Sequence, residues 1–94
     1  MSNKPKREIG QFMVFSTRHI SQQDTEQLTQ DPGRFAADEY QFWVWTGYLE
    51  ENPYGPGLSL TVRELLKIAE AEGCTYIRLD GDGPVYEDLP QFEW

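Results

Sequence analysis

The residues best equipped for chemistry in this chain lie at its end, in DGDGPVYEDLPQFEW, residues 80–94. They comprise five carboxylates, two glycines, two prolines and three aromatics, with no basic residue. Asp80-Gly81-Asp82-Gly83 has the alternating carboxylates with which calcium loops open, where oxygens converge on one hard cation. The remainder breaks that pattern. With Asp80 at the first position, Pro84 falls at the fifth, Val85 stands where the loop needs glycine, and Gln91 where it needs glutamate. A non-standard divalent site on Asp80, Asp82 and Glu87, and with it a metal-dependent enzyme, is the third of three functional readings. The simpler expectation is a glycine-rich turn whose aspartates accept backbone hydrogen bonds.

His19 is the one histidine and Cys74 the one cysteine. Any Ser-His-Asp or Cys-His arrangement must therefore use His19, and nothing in the spacing brings Cys74 to it. Between a helix and an apolar strand, Cys74 reads as a small buried residue. The chain has no phosphate-cradling glycine loop and no zinc-ligand spacing. Choosing a glycosidase pair from sixteen carboxylates has no meaning. A binding protein is expected rather than an enzyme, with no cofactor and no metal.

Charge narrows the class of partner. Eight basic and sixteen acidic residues give a net charge of −8 over 94 residues. Residues 1–34 carry five basic and four acidic side chains, whereas residues 35–94 carry three and twelve. Such a surface repels phosphates and attracts basic proteins, which argues against direct nucleic-acid binding. No apolar run approaches the roughly 20 residues of a membrane span. The basic start MSNKPKREIG leads into no apolar signal segment, and a single cysteine suits a reducing compartment; a cytoplasmic protein is expected.

These residues need a frame, and local signals supply one. Gln11 to Phe15 is a short strand. Ser21 with Asp24 three residues later opens a polar helix of about Gln22 to Gln30, which Asp31-Pro32-Gly33 stops. Tyr40 to Leu49, YQFWVWTGYL, is apolar on both alternating faces and is expected to be the central strand, or to have one face covered by another chain. ENPYGPG is a loop. Thr61 with Glu64 forms a second capping box, followed by Val62, Leu65, Leu66, Ile68 and Ala69 at helical spacing and closed by Gly73. Thr75 to Leu79 is the third strand, and Val85-Tyr86 an optional fourth. The order β-α-β-α-β predicts one α+β domain over residues 1–94: a small mixed or antiparallel sheet of three or four strands packed with two helices. Residues 1–9 are expected to be a flexible N-terminus. Val85, Leu89, Phe92 and Trp94 are spaced to anchor the tail on the core.

Two stretches, STRHISQQDTEQL and EGCTYIRLDGDGPVYEDLPQFEW, resemble a small domain family of unknown function from accessory regions of bacterial plasmids, phages and integrated elements. The strand-turn-tail pattern TYIRLDGDGPVYEDLPQFEW is the more specific of the two. The resemblance implies a bacterial cytoplasm and a mobile element facing host defences. The expectation it yields is an anti-CRISPR or anti-defence protein. In that role the protein binds a basic nucleic-acid-binding surface of a CRISPR effector complex and blocks target DNA, an acidic DNA mimic. The second reading is an antitoxin-like or other accessory protein-binding module.

Candidate partner-binding carboxylates are Asp38, Glu39, Glu50, Glu51, Asp80, Asp82, Glu87 and Asp88. Glu70 and Glu72 belong to the same excess but diverge around a helix. Trp43, Trp45, Tyr48 and Tyr54 form a candidate aromatic interface, whose alternative is core. Should the helices cover one sheet face only, the tryptophan-bearing face is left open, and a homodimer would cover it. Both monomer and homodimer are compatible with the sequence.

Overall fold

The computed structural model describes residues 9–38, 41–50 and 57–93. Strand β1, Phe12–Ser16, turns Phe15 into the core and ends where the Ser16 side chain caps a 3-10 turn, Thr17–His19, by accepting from the Arg18 N–H at 3.1 Å. Helix α1, Gln22–Thr29, begins with the predicted capping box. The Asp24 N–H donates to Ser21 Oγ at 3.1 Å, and the Ser21 N–H donates to Asp24 Oδ2 at 3.0 Å. Asp24 is thereby buried with its acceptor used by its own helix end, and Leu28 is the buried apolar residue of this polar helix.

Asp31-Pro32-Gly33 does more than stop α1. Pro32, whose fixed φ suits a first helical position, starts a second short helix, α2, Pro32–Phe35, which buries Phe35 and ends at Ala36 with φ 44°. The described residues thus form three α-helices where the sequence suggested two. The aromatic segment is shortened in the same way. Strand β2 covers Gln41–Trp45, and Thr46–Leu49 coils into a 3-10 turn where Thr46 is tied to the segment before the next strand: its hydroxyl donates to the Thr75 carbonyl at 2.9 Å. Helix α3, Leu60–Ala71, is capped by Ser59, whose Oγ accepts from the Val62 N–H at 3.2 Å. The Thr61–Glu64 box is therefore not the cap. The predicted apolar stripe Val62, Leu65, Leu66 and Ala69 is buried, and Gly73 follows with φ 80°. Strand β3 is Tyr76–Asp80. Val85-Tyr86 forms no strand.

The three strands make a mixed sheet in the order β1-β3-β2, with β1 parallel and β2 antiparallel to β3. The centre is β3, not the aromatic strand. Hydrophobicity on both faces misled the sequence reading: Phe42 and Val44 enter the core, while Trp43 and Trp45 lie on the opposite face of an edge strand. Ile77 and Leu79 of β3 join Phe15, Phe42 and Val44 on the inner face, against which α2 and α3 pack. The helices cover this one face, which gives a two-layer α+β domain. Among the described residues no helix is long and apolar enough to cross a membrane. Of the features expected from the sequence, Glu39, Tyr40, Glu51, Tyr54, Trp94 and the N-terminus up to residue 8 lie outside the described residues.

Candidate functional site

The tail after β3 is built as a turn and a clasp. Asp80 accepts the Asp82 N–H on Oδ1 at 2.9 Å and binds the Arg78 guanidinium through Oδ2 at 2.8 Å, while its carbonyl accepts the Gly83 N–H at 2.9 Å. It shapes the turn, as an aspartate in a glycine-rich loop should. Gly83 is required there, because a Cβ would lie 3.0 Å from the Phe15 carbonyl oxygen and 3.1 Å from that of Asp80. The chain then runs beside β1. The Ser16 N–H donates to the Pro84 carbonyl at 2.9 Å, the Tyr86 hydroxyl to the Val14 carbonyl at 3.0 Å, and the Phe92 N–H to the Arg18 carbonyl at 2.8 Å.

His19 holds the middle of the tail. It is 1% exposed, with Nδ1 2.8 Å from the Pro90 carbonyl and Nε2 2.9 Å from the Tyr86 nitrogen. A carbonyl can only accept and an N–H only donate, so Nδ1 carries the proton and Nε2 receives one. The imidazole stacks on Tyr86 at 5.9 Å, and that ring also meets Phe15 edge-on at 5.6 Å. Tyr86, itself 36% exposed, ties the tail down through these ring contacts and hydrogen bonds, whereas Val85, 39% exposed, is not the core anchor that was expected. Leu89 packs on the core as expected, and Phe92 is half-buried. Both ring nitrogens of His19 are engaged in structure. Among the described residues no group of three or more His, Cys, Asp or Glu side chains is placed to hold a metal ion.

The sheet order separates the candidate carboxylates. Asp38 accepts the Gln41 backbone N–H at 3.0 Å and its side-chain amide at 2.9 Å at the start of β2, and Glu50 follows the 3-10 turn after β2. The tail lies at β1, across the sheet. Glu50, beyond the far end of the opposite edge strand, therefore does not join the tail carboxylates, whereas Asp38 is bonded to Gln41, the register partner of Asp80, at the same end of the sheet as the turn. The residue that meets the tail is Glu72, which lines one cavity together with Asp88. The sequence placed Glu72 at the end of a helix but contained no local sign that the tail returns to that end. Glu93, also not among the candidates, shares a cleft with Arg18.

The aromatic candidates are divided as well. Trp43 stands on the open face, edge-on to Phe12 at 4.8 Å and to Tyr76 at 6.4 Å, with the Arg78 guanidinium over its ring at 5.8 Å. Trp45 lies across Gly47, where any Cβ would collide with the indole, and meets Tyr48 edge-on at 5.4 Å, while Tyr48 in turn reaches inward to Phe35 at 6.1 Å.

A family model described as "Family of unknown function (DUF5983) C-terminal domain" matches residues 12–94, from the first residue of β1 through the tail. The chain belongs to the DUF5983 family. No curated protein and no solved structure matches it. The match makes the clasped tail part of the DUF5983 domain itself rather than an appendage to it.

In this DUF5983 domain the tail and α3 do not close on each other. A cleft of about 380 Å³ lies between Leu60, Leu65 and Ile68 of the helix and Leu89, Pro90 and Phe92 of the tail. A second depression of about 220 Å³, which also contains Ile68 and Leu89, continues to Glu72 and Asp88.

Proposed function

We propose that the domain is a protein-binding module that uses the carboxylates of its tail and of the end of α3 to occupy a basic surface on another protein. One observation carries this reading. Glu70, Glu72, Asp82, Glu87 and Asp88 are exposed and make no ion pair among the described residues, whose ion pairs are Arg34–Asp31, Lys67–Glu64 and Arg78–Asp80. Carboxylates left without cations raise a local negative potential that a Lys- and Arg-lined channel would neutralise. Such channels evolved for duplex DNA, which presents one charge per roughly 1.7 Å of axis.

The specific form of the proposal follows from the resemblance to mobile-element proteins. In that form the domain works in the bacterial cytoplasm and blocks target DNA binding by a CRISPR effector complex. A plasmid-transformation assay in a host with an active DNA-targeting CRISPR system tests it. Expression of the domain should restore transformation by a targeted plasmid, and the variant Glu72→Lys/Asp82→Lys/Glu87→Lys/Asp88→Lys should not. Asp80 is left intact because it builds the turn. Unchanged immunity across the DNA-targeting systems would contradict the defence role and leave an accessory binding module.

A further inference from the structure

We propose that the cleft between α3 and the tail is a docking groove for an amphipathic, basic helix of the partner protein. This deepens the reading above and rests on it. The groove has one continuous wall, the row Leu60, Glu64, Ile68 and Glu72 at helical i, i+4 spacing. Twelve residues of helix rise about 18 Å, the length of three turns of a second helix laid alongside. The opposite wall is the tail, which holds its position without α3. Among the described residues its hydrogen bonds run to β1, to His19 and to Arg18, and none reaches the helix. The groove is thus held open by the clasp.

Its chemistry selects the occupant. The floor is apolar, and Leu60, 79% exposed at one end, extends it to the surface. The charged side chains that line the two depressions are all acidic: Glu64, Glu72 and Asp88. Of these, Glu64 is engaged by Lys67 at 3.1 Å, which leaves Glu72 and Asp88 to meet a cation. A ligand that fits must carry an apolar stripe bordered by Lys or Arg. It must also satisfy its own backbone, because α3's amides are bonded within the helix and the tail forms no strand whose edge could pair with it. An extended peptide would find no ladder here, whereas a helix needs none.

The test uses a labelled 18-residue peptide of leucine and lysine, with leucines at i, i+3, i+4 and i+7, followed by fluorescence anisotropy. Two controls accompany it: a scramble of the same composition without an apolar face, and a leucine–glutamate analogue. The Leu/Lys helix should bind, and both controls should bind at least about tenfold more weakly, since each lacks one of the two required features. Leu60→Asp and Ile68→Asp add negative charge yet should weaken binding about tenfold. Leu60 is too exposed for its replacement to disturb the fold, which keeps that variant informative. Equal binding of the scramble, or undiminished binding by Leu60→Asp, would overturn the groove. Asp82→Lys and Glu87→Lys lie outside the groove but within reach of its field, so they should weaken peptide binding less than Leu60→Asp does. If they alone abolish inhibition of a DNA-binding partner while the groove variants do not, the groove is wrong and the acidic-module reading survives.

Discussion

Two surfaces of this domain lack a covering layer, and they differ in how their groups are satisfied. On the open sheet face, Phe12, Trp43 and Tyr76 touch one another while Phe12 and Tyr76 stay exposed, and the cation there, Arg78, meets Asp80 and the Trp43 ring although its Nε is buried without a hydrogen-bond partner. On the α3–tail side, carboxylates stand without cations above an apolar cleft. The first surface is balanced in charge within the chain. The second is balanced only by something else. Exposed apolar area alone would have ranked the aromatic face first; charge bookkeeping reverses the order.

The largest expected effect comes from breaking the clasp that maintains the difference. His19→Leu leaves the Tyr86 N–H and the Pro90 carbonyl without their imidazole partner, at about 1–3 kcal/mol for each buried group that finds no water. Thermal melting should fall by some 10 °C or more at about 4–8 °C per kcal/mol, and the Tyr86, Leu89 and Phe92 amides should lose hydrogen-exchange protection. A variant that melts like the parent would show that the tail is held by packing alone. Next is Gly83→Ala, where the added methyl meets backbone rather than a movable side chain; a loss of about 1–3 kcal/mol is expected by urea unfolding. The smallest is Arg78→Met on the sheet face. Its ion pair is partly solvated and its ring contact modest, so the cost should stay near 1 kcal/mol or below. A loss matching that of His19→Leu would mean that the open face, not the clasp, is the more dependent surface.

How much of this was readable beforehand follows the range of each interaction. The Ser21–Asp24 box and the stripe on α3 are signals within a few residues, and both stand as read. The α3 cap was displaced because Thr61–Glu64 copies a capping box two residues inside the real start at Ser59. Strand order is a long-range property: nothing in YIRLD announces a central strand, and two-sided hydrophobicity in QFWVW suggested the wrong one. The clasp joins residues 67 and 71 positions apart, so His19 looked like an unused catalytic candidate. Acidity was plain from composition. That Glu72 meets Asp88 of the tail while Glu50 lies beyond the opposite edge strand required the fold.

The most direct measurement of the central claim is displacement of target DNA from a purified multisubunit CRISPR effector complex, followed at about 50 and 200 mM salt, a range over which contacts to phosphate-binding cations weaken steeply. The account predicts that the domain displaces DNA at low salt and loses potency as salt rises. It further predicts that the Glu72→Lys/Asp82→Lys/Glu87→Lys/Asp88→Lys variant, folded by its melting curve, has no effect. Displacement by that variant as strong as by the parent would contradict it.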